Sequence, residues 1–220
     1  MDRHPEAELM DLPDEVDAYV RGDFSTVNQA FAERLVELAG IRTSAQCVDL
    51  GTGPADIPIR VAKLRPDWKI AAVDASAPML DAGRKAIRAA KLESAIELVL
   101  ADAKDTKLAA ATYDIVFSNS ILHHVSSPDA FWREVKRIAK PGALIFIRDL
   151  ARPESDAAAR TIVEKHAGSE SALLQEEFYR SLLSAYTVAE VEKQLKAAGL
   201  NDLKAAMITD RHLDVFGVNA

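Results

Sequence analysis

Val48-Asp49-Leu50-Gly51-Thr52-Gly53-Pro54-Ala55 carries a β-type apolar run, Gln46 to Leu50, straight into two closely spaced glycines. Behind them Ile57, Ile59, Val61, Ala62 and Leu64 follow an apolar helical pattern, so the glycines occupy a strand-to-helix turn. At such a turn glycine accepts backbone angles closed to other residues, and its missing Cβ lets a ligand lie against the main chain. The helix that follows presents its N-terminal amides to a carboxylate or phosphate. The stretch reads as a site for a nucleotide-type cofactor.

Outward from this turn, strands and helices alternate. Strands are predicted at Lys69 to Val73, Ile96 to Ala101, Tyr113 to Ser118 and Ala143 to Arg148, with helices at Ala77 to Ala90 and Asp129 to Ala139 and a Lys140-Pro141-Gly142 turn. Alternation of this kind predicts a parallel sheet with right-handed crossovers. Two further strands, near Leu203 to Ile208 and Leu213 to Val218, are separated by a turn at Asp210-Arg211 that is too short for a helix, so they predict an antiparallel hairpin. The fold expected is α/β: a Rossmann-like, doubly wound, seven-stranded sheet, mostly parallel with a C-terminal antiparallel hairpin and helices on both faces.

Two regions stand outside the alternation. Residues 1–44 form an N-terminal helical extension, with apolar stripes from Val16 to Leu38. Residues 151–185 form a helical insertion in a core running over 45–220, and read as a lid. Thr187 with Glu190 makes a capping box for a helix ended by Gly199.

The 220 residues suit one α/β core, and 49% hydrophobic with 28% charged residues is a globular composition. No apolar run approaches the roughly 20 residues that cross a bilayer, and the start Met1 to Glu8 is polar and acidic, so the cytoplasm is the expected compartment. A formal charge of −7 disfavours nucleic acid as a partner. The lone Cys47 sits in a strand, where packing is its default role, and no metal site is expected.

The turn lacks the third glycine of a dinucleotide fingerprint: Asp56 stands there, where a pyrophosphate would meet a carboxylate. It resembles instead the acidic, glycine-rich signature of class I S-adenosylmethionine-dependent methyltransferases, as Asp49, Gly51 and Gly53, with Ala55 in place of the last glycine. The likeness runs on through Val73-Asp74-Ala75-Ser76, through Leu98 to Ala103, through Tyr113 to Asn119, and through Lys140-Pro141-Gly142 to Asp149. Leu122-His123-His124 brings it nearest to the ubiquinone and menaquinone biosynthesis type.

This resemblance implies S-adenosyl-L-methionine as cofactor, held by Asp49, Gly51, Thr52, Gly53, Asp74, Ala75, Met79, Asp102, Ala103 and Asn119. Asp74 closes the second strand about 20 residues past the turn, where a ribose diol is bound. Met79 would pack on the adenine and Asp102 would receive its amino group. The activity implied is methyl transfer to a small-molecule acceptor.

A sulfonium methyl is already activated, so alignment is the enzyme's main task. A general base would help a hydroxyl or acidic C–H acceptor, and His123 and His124 are the candidates. Neighbours on a helix point about 100° apart, so one of the two at most faces the cofactor, and the choice stays open. Tyr19, Phe24, Arg148, Asp149 and Tyr179 are candidate acceptor contacts. A non-catalytic S-adenosylmethionine-binding protein and a methyltransferase acting on protein are the competing readings.

Overall fold

The computed structural model describes residues 1–7 and 11–220. Its chain order is α1 (Pro13–Arg21), α2 (Ser25–Ala39), β1 (Gln46–Leu50), α3 (Asp56–Leu64), β2 (Lys69–Asp74), α4 (Ala77–Ala90), β3 (Ile96–Leu100) and β4 (Tyr113–Asn119), then a 3-10 turn, Leu122–His124. There follow α5 (Pro128–Ile138), β5 (Ala139–Leu150), α6 (Asp156–Ala167), α7 (Ala172–Ser184), α8 (Val188–Ala197), β6 (Lys204–Met207) and β7 (His212–Val218). The sheet has seven strands in the order β3-β2-β1-β4-β5-β7-β6. The first five are parallel; β7 runs antiparallel between β5 and β6. The doubly wound fold and the terminal hairpin expected from the sequence are both present.

Strand parity sorts side chains between two cores. From β1, Val48 and Leu50 enter the layer with Trp132, Val135 and Leu195, while Cys47 enters the layer with Phe31, Leu35 and Trp68. Asp49 shares the parity of Cys47, so its carboxylate points under α2 rather than α5. Cys47 is fully buried, and burial pushes its thiol far above the usual range, as its packing role requires.

The chain winds β1, β2, β3 in one direction and then crosses back to β4. The switch point therefore lies between β1 and β4, where sheets of this type bind ligands. The buried Ser118 hydroxyl donates to the Leu50 carbonyl at 2.6 Å, tying the ends of these two strands together.

Three local readings are corrected. The N-terminal helical stripe breaks into α1 and α2 at Gly22-Asp23-Phe24, and the extension predicted over 1–44 includes positions 8–10, which lie outside the described residues. Lys140-Pro141-Gly142 falls inside β5 as a bulge, since Ala139 pairs with Tyr113 and the next ladder pair is Leu144 with Ile115, while the Gly142 amide donates to the Asn219 carbonyl at 2.7 Å. The two histidines lie on the 3-10 turn rather than on a helix. The insertion helices α6 and α7 pack on Leu150 as a small separate cluster with Val163 and Leu182. Among the described residues, no helix is long and apolar enough to cross a membrane.

Candidate functional site

Two adjoining cavities of about 290 and 280 Å³ straddle the turn after β1 and share Tyr19, Gly51 and Asn119. Gly51 and Gly53 have φ of +75° and +53°, angles that side chains resist. A Cβ at Gly51 would also collide with Ile121, so both backbone and packing demand glycine there. Ala55 is in the left-handed region too, at φ 64°. Its methyl is buried against α4, where Gly83 leaves the room: a Cβ at Gly83 would lie 3.2 Å from that of Ala55. The departure from the family's glycine is thus met by a glycine on the facing helix.

The second cavity is lined by Gly51, Gly53, Asp74, Ala75, Met79, Asp102, Ala103 and Asn119, along with Ser76, Lys104, Ser120, Ile121, His124 and Val125. Asp74 ends β2, its Oδ2 accepting from the Gly53 amide at 2.7 Å and its Oδ1 from Ser76 at 2.8 Å. The carboxylate therefore orders the glycine turn, and each oxygen keeps a second lone pair for a diol. Burial pushes its pKa up, and the amides of Ser76, Gly53 and Ala75 oppose that rise. Ser76 caps α4 by accepting from the Met79 amide, and Met79 is buried in the first turn. Asp102 accepts from the Lys104 amide at 2.8 Å and pairs with its ammonium at 3.1 Å on the cavity rim.

The first cavity runs from Asp49 and Thr52 under α1 and α2, with Tyr19, Phe24 and Asn28 on its wall. Burial raises Asp49 to about 7, helped by the charge of Asp74. Asp49 Oδ2 and Thr52 Oγ1 are buried without a hydrogen-bond partner. Such orphans are costly unless a ligand meets them. Tyr19 stacks on Phe24 with ring centroids 4.9 Å apart, and burial together with Asp74, Asp56 and Asp49 pushes its hydroxyl up to about 12. Asn28 and Arg60 hold Asp56 at 2.8 Å each.

These residues fit S-adenosylmethionine. A carboxylate and a buried hydroxyl without a hydrogen-bond partner stand at one end, glycine backbone lies in the middle, and Asp74 and Asp102 stand at the other end.

Three other predicted contacts lie elsewhere. Arg148 faces α2, donates to both oxygens of Asp214 at 2.6 and 2.8 Å, and lies over the Phe31 and Phe146 rings. That bidentate pairing leaves it outside both cavities. Tyr179 packs at the edge of the small α6–α7 cluster, donating to Asp156 and lying under the Arg160 guanidinium, outside both cavities. Asp149 is also off the cavity walls. It is buried behind the 3-10 turn, accepting from the Leu122 amide at 2.5 Å, from the Leu150 amide at 2.7 Å, and meeting His123 Nδ1 at 2.5 Å.

The histidines diverge. His124 forms part of the second cavity's wall; His123 is 3% exposed and turned toward Asp149 and Glu6. Burial disfavours the imidazolium of His123, but the charge and hydrogen bond of Asp149 and the charge of Glu6 outweigh it and raise its pKa. Sequence reasoning missed Ser76, Lys104, Ser120 and Ile121 on the wall. Ser76 carried a legible signal, an N-cap serine directly after Asp74. Ile121 carried none, since its role is set by the return of β4 alongside Gly51.

Comparison with known proteins agrees with this geometry. Residues 48–147 match a family model described as a methyltransferase domain. The chain is 31% identical over 116 residues to the mitochondrial 2-methoxy-6-polyprenyl-1,4-benzoquinol methylase of Caenorhabditis elegans, covering 51% of this chain and 40% of that protein. It is 30% identical over 118 residues to a demethylmenaquinone methyltransferase of Roseiflexus sp., covering 54% and 48%. The matched segment is thus less than half the length of either relative. Among solved structures, a putative S-adenosyl-L-methionine-dependent methyltransferase from Methanococcus maripaludis superposes with a TM-score of 0.76 at 21% identity, over 99% of this chain and 96% of that one. A SAM-dependent methyltransferase from Aquifex aeolicus gives 0.72 at 20% identity, over 96% and 100%; at such identities the likeness shows the fold. A switch-point cavity floored by a glycine turn and an acid closing β2 thus lie within the segment, residues 48–147, that is similar to a methyltransferase domain.

Proposed function

We propose that the chain transfers a methyl group from S-adenosylmethionine to a small-molecule acceptor and releases S-adenosylhomocysteine. The observation that carries the proposal is the continuous run of cavity from Asp102 and Asp74, across Gly51, to the unpartnered Asp49. An aromatic hydroquinone is the acceptor class to test first, on the strength of the benzoquinol and demethylmenaquinone relatives.

The cofactor supplies a methyl on a cationic sulfur, already activated toward displacement. Asp74 would hold the ribose hydroxyls, Asp102 the adenine amino group, and Asp49 the α-ammonium, with Thr52 beside it. Tyr19 and Phe24 cover the turn from above, and their rings exclude water from it, which strengthens each of these polar contacts. His124 stands where the wall leaves room for an acceptor, and Asp149 with His123 braces the 3-10 turn that carries it. Of the two histidines, His124 is the one on the acceptor's side of the wall.

Calorimetry with S-adenosylmethionine, S-adenosylhomocysteine and NADH, followed by radiolabelled methyl transfer to hydroquinones, tests the reading. Saturable binding of both adenosyl compounds and label in an acceptor are expected. NADH binding with no response to either adenosyl compound would overturn the cofactor assignment. Adenosyl binding with no label in any small molecule would favour a non-catalytic binding protein, and label in protein would favour a protein methyltransferase.

A further inference from the structure

The N-terminal segment crosses the 3-10 turn as a strap. Arg3 donates from Nε to the Ser184 carbonyl at 2.5 Å and from Nη2 to the His123 carbonyl at 2.8 Å, and its guanidinium lies over the Tyr186 ring. Ser184 Oγ accepts from the Glu6 amide at 3.2 Å and donates to the His123 carbonyl at 2.7 Å. The strap thereby sets the Glu6 side chain between two imidazoles. Glu6 Oε1 is 3.6 Å from His123 Nε2 and 3.3 Å from His124 Nδ1, and one donor atom from each of the three residues falls within 4.8 Å of the others.

The 3.6 Å contact is too long for a hydrogen bond. Both separations match the edge of a tetrahedron, since bonds of about 2.0–2.2 Å place neighbouring ligands about 3.3–3.6 Å apart. The orientation is supported from behind as well. Asp149 holds His123 Nδ1, leaving Nε2 to face Glu6, and Ser181 Oγ donates to Glu6 Oε1 at 3.0 Å. Carboxylate–histidine pairs of this kind orient ligands in metal centres. Asp149 and Glu177 add negative charge around Glu6, and Arg3 adds positive charge beside His123. The Ala7 carbonyl, 3.0 Å from His124 Nδ1, shares the proton that a metal would displace.

We propose that Glu6, His123 and His124 form a binding site for a divalent transition metal of the zinc type, with one coordination position left open. Two imidazoles and a carboxylate suit zinc, and three protein ligands with an open fourth position distinguish reactive from structural zinc. His124 belongs to the cavity wall, so a metal held by these residues would stand beside the acceptor and would favour its deprotonated oxygen, with the proton released to solvent. This role rests on the methyl-transfer reading; the binding of metal does not.

The test is titration of the full chain, freed of any affinity tag and chelator-treated, with Zn²⁺ by calorimetry and with Co²⁺ by visible absorption. One equivalent is expected, together with a tetrahedral cobalt spectrum and a Zn²⁺-dependent rise in melting temperature. E6Q and H124A should each weaken binding at least about 100-fold, more than is typical for losing an outer-shell partner. E6Q alters only the strap, so S-adenosylhomocysteine binding by this variant serves as the folding control if H124A is unstable. Absence of saturable binding by the wild type, or binding unchanged in both E6Q and H124A, overturns the proposal. A chain that binds S-adenosylhomocysteine and no metal defeats this inference alone; one that binds metal and no adenosyl compound defeats the cofactor reading alone.

Discussion

The floor of the cavity and its cover are built over very different sequence distances. Asp74 reaches the Gly53 amide across 21 residues, from one strand end to the next, and both partners belong to the turns of a regular β-α-β unit. Arg3 reaches Ser184 across 181 residues, and Glu6 meets His123 and His124 from the far end of the chain. A floor made of backbone amides and glycine conformers holds a ligand common to many enzymes. A cover made of side chains returning from distant segments can differ in each, and here it braces the 3-10 turn that carries His124 to the cavity wall.

Asp74→Ala breaks the floor and should have the largest effect. It removes the acceptor for the diol and releases the Gly53 amide. At about 1.5–3 kcal/mol for each charge-assisted bond, affinity for S-adenosylhomocysteine should fall at least about 100-fold by calorimetry. Unchanged affinity would show that the ribose lies elsewhere.

The second test uses pH. Asp49, raised to about 7 by burial, is protonated below that value and cannot meet an ammonium. Affinity for S-adenosylmethionine should therefore fall about tenfold for each pH unit below 7 and level off above it. Asn at position 49 should remove the slope. Stability of the chain by itself has the opposite sign. The folded state binds this proton more tightly than an unfolded aspartate of pKa 3.8, so this group's contribution falls as pH rises from about 4 to about 7. Thermal melts over that range check it, and a flat affinity profile would mean that Asp49 does not face the ammonium.

Arg3→Ala breaks the cover and should spare the floor. Losing two hydrogen bonds from a guanidinium should cost about 2 kcal/mol or more and speed proteolysis of the first residues, while S-adenosylhomocysteine affinity changes by less than about threefold. A large loss of cofactor affinity would mean that strap and floor are coupled. Tyr179→Phe should do least. The ring keeps its packing on the α6–α7 cluster and only the exposed hydroxyl is lost, so the change should shift stability by no more than about 0.5 kcal/mol and leave methyl transfer within about twofold. A larger loss of rate would return Tyr179 to the site.

The same contrast explains what could be read in advance. The sheet, its switch point and the glycine turn rest on periodicity and backbone geometry, which neighbouring residues impose. Arg148 illustrates the limit. From sequence it was a cation at a strand end, equally an anion anchor or the partner of a carboxylate, and the antiparallel register decides by placing Asp214 opposite it, 66 residues on. Tyr179 packs against the small core that α6 and α7 form with each other, away from both cavities, and that pairing of helices was not legible in the sequence. His123 and His124 remained open in the sequence because the choice required knowing that Asp149 lies behind one of them.

By itself the sequence determined the strand-turn-helix at Asp49 to Asp56, the acid at the end of β2 and the kind of ligand these hold. Each depends on residues within one β-α-β unit, where glycine conformers and side-chain parity leave few alternatives. Only the tertiary structure decided which histidine reaches the cavity, that Gly83 accommodates the Ala55 methyl, and that Glu6 stands between two imidazoles. Those depend on where distant segments return to the sheet, and that is settled by the packing of the whole chain.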